Sequence, residues 1–232
     1  MKKTALLIFS LILGTISITA QDNCSKYYPM IEGTTFEYTN TDKKGKTEGI
    51  TSYKISDVSQ NGGATNATFN LKYVDKKGKE VFSTAYNITC DGNMVKIDYQ
   101  SLFPSQMMQQ YTDMGVEMDI SGTDIELPNN LKVGQELDDA NVSVSMNMSG
   151  IKMKMEVDQT ERVVKSKESV TTAAGTFDCY VITETTRSKT MGATQEMISK
   201  LWLAEGVGMV KQETYKKNGN LMSTTELTKF SR

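Results

Sequence analysis

The side chains able to do chemistry are few, and their spacing argues against most of it. The chain has no histidine among its 232 residues, which removes Ser-His-Asp and Cys-His catalysis, the usual zinc ligands and the commonest general base. Asp138 and Asp139 are carboxylates of the kind that could share acid–base work. Neighbours on an extended chain point to opposite sides, so this pair reads as part of a solvated loop. Asp119-Ile-Ser-Gly-Thr-Asp-Ile-Glu126 gathers oxygen ligands around a glycine. It lacks the spacing of a calcium loop and its closing bidentate glutamate, so a polar turn between short strands is the favoured reading. No glycine-rich phosphate loop follows a strand and opens a helix. The expectation is a protein that is not an enzyme, with no cofactor and no metal.

Methionine is the unusual enrichment, with fourteen left once the initiator is removed. Met146 and Met148, with Met153 and Met155, put thioethers on one strand face, and thioethers are soft ligands for Cu(I). Val142, Val144, Ile151 and Val157 share that face, and no histidine supports a copper site. The methionines read instead as adaptable core filler, or as the lining of a cavity that accepts varied apolar ligands.

Three cysteines suggest one disulfide and one leftover thiol. Cys179 alternates with Phe177 and Val181 and reads as a small buried hydrophobe. Cys24 and Cys90 sit in polar surroundings, so the expected bridge is Cys24–Cys90.

The elements that must position these groups are mostly strands. Val142–Met148 and Ile151–Val157 flank Ser149-Gly150, read as a two-residue hairpin turn. Met148 then faces Ile151, Met146 faces Met153, Val144 faces Met155 and Val142 faces Val157. The alternate face pairs Asn147 with Lys152, Ser145 with Lys154 and Ser143 with Glu156. A slip of one residue would destroy this separation. Asp42–Lys46 and Asp75–Lys79 share the sequence Asp-Lys-Lys-Gly-Lys. The second joins strands Thr68–Val74 and Glu80–Cys90, and Asn218-Gly219 joins Met209–Tyr215 to Leu221–Lys229. Further strands are expected at Thr47–Ser59, Asn93–Tyr99, Arg162–Thr172, Thr176–Arg187 and Thr194–Leu203. Long strands and tight turns predict one mainly β domain over 21–232, a large curved antiparallel sheet forming a half-barrel or open barrel.

One segment breaks the period. Phe103, Met107, Tyr111 and Met114 recur at helical spacing with Met108 beside them. Pro104 suits a first turn and Gly115 the residue after the last, which predicts one amphipathic helix over Leu102–Met114, packed on the concave face. Asp124–Gly134 reads as an irregular connection with a turn at Pro128-Asn129-Asn130.

The first twenty residues give an address. Lys2 and Lys3 precede an apolar run from Ala5 to Leu13, and small residues close at Ala20. That is the pattern of a signal peptide, cleaved before Gln21. Gln21-Asp22-Asn23 before Cys24 lacks the small residues of a lipid-attachment site. The expectation is an exported protein, periplasmic, cell-surface or extracellular, with no transmembrane segment. Removing the peptide leaves 24 basic against 28 acidic residues, spread without blocks, so no nucleic-acid partner is expected.

Glu126-Leu127-Pro128 and Leu131–Leu137, then Ala173–Cys179, then Leu201-Trp202-Leu203 with Gly206–Lys211, resemble recurrent elements of the TapB-like exported proteins. These form a domain-of-unknown-function family common in Bacteroidetes. The resemblance implies a half-barrel fold reminiscent of periplasmic lipoprotein carriers, and neither an activity nor a catalytic residue.

Together these readings predict an exported binding module for an apolar or lipid-like ligand, or an apolar peptide segment. The candidate contacts are Phe103, Met107, Met108 and Tyr111 on the helix, and Met146, Met148, Met153, Met155 and Trp202 on the sheet. The alternative is an envelope structural or interaction protein, its core filled and its partner another envelope protein.

Overall fold

The computed structural model describes residues 24–99, 105–148, 150–190 and 192–232. Its elements, in chain order, are β1 (Thr35–Asp42), β2 (Thr47–Asn61), β3 (Ala64–Asp75), β4 (Glu80–Asp91), β5 (Met94–Ile97), α1 (Ser105–Asp113), β6 (Val116–Gly122), β7 (Ile125–Pro128), β8 (Ala140–Met148), β9 (Ile151–Thr172), β10 (Gly175–Thr190), β11 (Ala193–Ala204), β12 (Gly208–Lys216) and β13 (Leu221–Ser231). The strands form one antiparallel sheet in the order β6-β8-β9-β10-β11-β12-β13-β1-β2-β3-β4-β5-β7. The sheet is curved and not closed into a barrel. Its two edge strands, β6 and β7, are consecutive in sequence and joined only by Thr123 and Asp124. So short a link holds the two ends of the strand order close together, which requires the sheet to roll.

Antiparallel alternation sends the turns after β1, β3, β8, β10 and β12 to one end, and those after β2, β4, β9 and β11 to the other. Buried apolar side chains concentrate at the second end, among them Ile55, Phe69, Ile88, Val95, Leu203 and Leu227. The N-terminal segment plugs that end. Cys24 is bonded to Cys90 as expected, Gly33 N–H donates to the Ile55 carbonyl at 3.0 Å, and Gly206 N–H donates to that of Lys26 at 2.8 Å. Tyr27 beneath is fully buried. Cys179 is free and buried, and burial pushes its thiol up to about 11.

The hairpin register holds at every pair expected, from Val142 opposite Val157 to Met148 opposite Ile151. Gly150 takes φ +87° at the turn, a conformation glycine adopts at no steric cost; Ser149 lies outside the described residues. The second hairpin strand and Arg162–Thr172 are a single 22-residue strand, β9. Three short strands went unrecognised in the sequence: β1, β6 and β7. Asp119–Gly122 belongs to β6, and the expected irregular stretch after Asp124 begins with β7, which pairs with β5. The helix is described over Ser105–Asp113 and contacts β6, the strand that follows it; the expected start at Leu102 lies outside the described residues. Gly115 ends it, with φ +72° and an N–H donated to the Thr112 carbonyl at 2.9 Å. Pro104, Gln21 and the first twenty residues lie outside the described residues.

Candidate functional site

The inner face of the sheet has two unlike walls. The first is built by β6, β8 and β9. Met118, Met146 and Met153 stand in register across the three strands, flanked by a row of Ile120, Val144 and Met155. Period-two alternation puts all six on one side. Val144 is buried at 3 % exposure, whereas Met118, Met146, Met153 and Met155 remain half-buried. Sequence reasoning found the hairpin half of this ladder and missed Met118, because β6 carries only a short alternating run. The opposite face is polar: Asn147 donates to Glu117 at 3.1 Å and Lys154 to Glu156 at 2.6 Å. A 540 Å³ groove runs along it.

The second wall, on β1 to β4 with β12 and β13, is aromatic toward the plugged end and hydroxylated toward the open one. Phe36, Tyr38, Tyr53, Tyr86, Phe69 and Tyr28 form a continuous chain of ring contacts with centroids 5.6 to 6.4 Å apart. Burial pushes the phenols of Tyr28 and Tyr53 up to about 12, so they stay neutral. Tyr38 donates to the Met209 carbonyl at 2.9 Å. Farther out, Thr225 donates to Asn40 at 2.8 Å and Asn40 to Thr51 at 2.9 Å. All three are half-buried, leaving hydrogen-bonding side chains along the path from plug to open end.

The remaining expected contacts are described only in part. Met108 and Tyr111 are half-buried on α1, Met114 is 63 % exposed, and Phe103 with the side chains of Met107 and Met148 lies outside the described residues. Trp202 sits on β11, apart from the methionines. Its ring lies between Lys200 and Lys211, whose Nζ atoms are 4.4 and 5.1 Å from the centroid, and its indole N–H donates to Glu168 at 3.2 Å. At 5 % exposure, Trp202 is buried, joining the hydrophobic core while its ring meets these charged groups.

Sequence reasoning also missed the most heavily engaged charge. In β9, Glu161 and Arg162 together oppose the single residue Glu184 of β10, a bulge that re-aims the side chain. Glu161 takes φ +55° and accepts a hydrogen bond from Thr185 at 2.7 Å. Arg162, 4 % exposed, donates to the carbonyls of Asp138 and, at 3.2 Å, Glu126, and lies 3.6 Å from the Glu184 carboxylate. It thereby ties the β7 edge and the 124–138 connection to β9 across the open seam. Burial raises Glu184 above the usual carboxylate value, outweighing the Arg162 charge that lowers it. Asn129 does similar work at the plug, accepting from Lys26 N–H at 2.8 Å and donating to the Cys24 carbonyl at 2.6 Å. Arginine in a strand and asparagine after a proline carry no sequence signal for either role.

No group of three or more Cys, Asp or Glu among the described residues is placed to hold a metal ion, and no helix among them is long and apolar enough to cross a membrane.

The DUF3108-like family model matches residues 31–227. The chain belongs to that family. The segments that resemble TapB-like proteins lie inside the matched span, but the match does not confirm the TapB-like label. No curated protein matches the chain. Two solved structures share the DUF3108-like chain's fold. One is a "putative exported protein with YmcC-like fold" from Bacteroides fragilis NCTC 9343, with TM-score 0.70 and 21% identity over 90% of this chain and 100% of that one. The other is a "putative lipoprotein" from Parabacteroides distasonis ATCC 8503, with TM-score 0.71 and 22% identity over 89% of this chain and 99% of that one.

Proposed function

We propose that this protein is a non-enzymatic exported binding module for an apolar or lipid-like molecule, or an apolar peptide segment, held on its concave face. The observation that carries this reading is the thioether ladder of Met118, Met146 and Met153, which is turned inward yet left half-covered. Apolar side chains turned to the core side are ordinarily buried completely, and flexible thioethers suit ligands of varied shape. The hydroxyl and amide groups of Asn40, Thr51 and Thr225 offer a polar end to the same concave surface. Export agrees with the leader-like start, with the Cys24–Cys90 bridge, which needs an oxidising compartment, and with the names of both structural neighbours. A non-enzymatic role agrees with the histidine-free sequence, and with Arg162 being spent on backbone carbonyls.

The alternative, an envelope structural or interaction protein, is favoured by one feature. The aromatic chain from Phe36 to Tyr28 fills the plugged end. Native mass spectrometry of protein purified from its own envelope separates the two. The binding reading expects a co-purifying acyl-chain species and uptake of an apolar dye that Met146→Ser with Met153→Ser weakens. A clean apo mass with no dye uptake would establish the alternative.

A further inference from the structure

The open end of the half-barrel is basic, although the chain as a whole carries a net charge of −2. Three hairpin tips stand side by side there, following the strand order β12-β13-β1-β2-β3-β4. The β1–β2 tip carries Lys43, Lys44 and Lys46; the β3–β4 tip carries Lys76, Lys77 and Lys79; all six are exposed. Lys216 and Lys217 extend the row on the third tip. Strand spacing puts neighbouring hairpins about 10 Å apart, within roughly one Debye length at physiological salt, so the lysines act as one field. Part of that charge is offset by Asp42, Glu48, Asp75 and Glu80 in the same tips, which the lysines outnumber. Lys76 pairs with Glu48 at 3.7 Å and Lys217 with Glu196 at 3.1 Å, while the side chains of Lys43, Lys44, Lys46, Lys77, Lys79 and Lys216 have no carboxylate partner among the described residues.

The two Asp-Lys-Lys-Gly-Lys turns are also the same structure. Asp42 accepts the N–H groups of Lys44 and Lys46 at 2.8 and 2.9 Å, and Asp75 those of Lys77 and Lys79 at 2.8 and 3.0 Å. Each aspartate is occupied with its own turn, and the lysine stems are splayed outward on a rigid base.

Beside the basic tips stand apolar side chains that nothing covers. Val81 is 57 % exposed and Phe82 50 % exposed. Phe82 is held at the rim by Tyr73, their ring centroids 5.7 Å apart. Tyr73 in turn lies across Gly49, where a Cβ would sit 2.5 Å from the phenol oxygen, so only glycine leaves room for it. A fixed aromatic residue and a valine set among unpaired lysines have the composition of an interfacial anchor: cations for the headgroups, a ring and a branched chain for the boundary with the acyl chains.

We infer that the β1–β2 and β3–β4 tips dock the open end of the half-barrel onto an anionic lipid surface. The rim would then sit on the membrane with the concave face opening toward it. This inference stands apart from the ligand reading, since it uses none of the residues of the methionine ladder. It is tested by flotation of the mature full-length chain with vesicles of phosphatidylethanolamine and phosphatidylglycerol, and with vesicles of phosphatidylcholine alone. Binding is expected on the first only, falling steeply with added salt. Lys44→Glu with Lys77→Glu and Lys79→Glu should weaken it by about tenfold or more, and Val81→Ser with Phe82→Ser should also weaken it, with melting temperatures kept close to wild type. Lys132→Glu, at the far end, should leave it unchanged. No flotation with the anionic vesicles, equal flotation with the neutral ones, or indifference to the triple lysine variant would overturn the proposal. So would binding to a DNA duplex as tight as to vesicles and independent of Val81 and Phe82, which would assign the lysines to a different polyanion.

Discussion

Arg162 and Glu184 are the residues whose chemistry most depends on the fold. Their carboxylate and guanidinium are 18 % and 4 % exposed, so neither charge has much water to fall back on. Removing one partner leaves the other buried and uncompensated, which costs about 3–5 kcal/mol, and Arg162→Ala also frees the carbonyls of Glu126 and Asp138. Urea titration should register a loss of that size. Glu184 carries a pH signature as well. Its folded value lies above the usual 4.5 because burial dominates, so the folded state holds an extra proton between the two values. The stability it contributes is fully present below 4.5 and is lost as pH rises through the folded value. Wild type should therefore gain on Glu184→Gln in thermal melts as the pH falls from neutral toward 4.5. A gap that stays flat with pH would mean the carboxyl is not raised. Nothing in the sequence pointed to this pair, because the bulge at Glu161 and Arg162 exists only once β9 and β10 are in register.

At the scale of elements, legibility followed the strength of the local pattern. The β8–β9 hairpin could be read residue by residue, since alternation and a two-residue turn leave one register that separates apolar from polar. The helix could be read from the spacing of Met107, Tyr111 and Met114, with its expected start at Leu102 outside the described residues. β6 and β7 were lost in a stretch whose polar composition resembles a loop, and their strand character comes from pairing with β8 and β5. The hairpin makes a graded prediction. Val144→Lys, at a buried position, should destabilise by about 3 kcal/mol or more through an unpaired buried charge. Met146→Lys should cost less, since its site is half-open, and Ser145→Lys on the polar face should stay within about 0.5 kcal/mol. Equal costs at 144 and 145 would break the face assignment.

Across the whole molecule, the charge row at the open end was invisible in sequence for a related reason. Its lysines come from three turns spread between residues 43 and 217, and only the strand order gathers them. Stability should be as unevenly distributed as charge. The plugged end combines the disulfide, the aromatic chain and nearly all the fully buried side chains, while β6 has strand pairing on one side only. Amide exchange is expected to be slowest around Ile55, Phe69 and Leu227 and fastest in β6 and α1, which open without unfolding the rest. Uniform protection across the sheet would show one cooperative unit instead.

The pairing of β1 with β13, Thr35 opposite Ser231, has a consequence in time. These strands lie at the middle of the strand order, so the centre of the sheet joins stretches nearly two hundred residues apart and cannot form until β13 has arrived. Most other pairings join consecutive strands, so this distant seam is the contact expected to form slowly. The two meanders, β1 to β5 and β8 to β13, can therefore form separately as their hairpins emerge, and the seam that joins them closes only when the last strand is available.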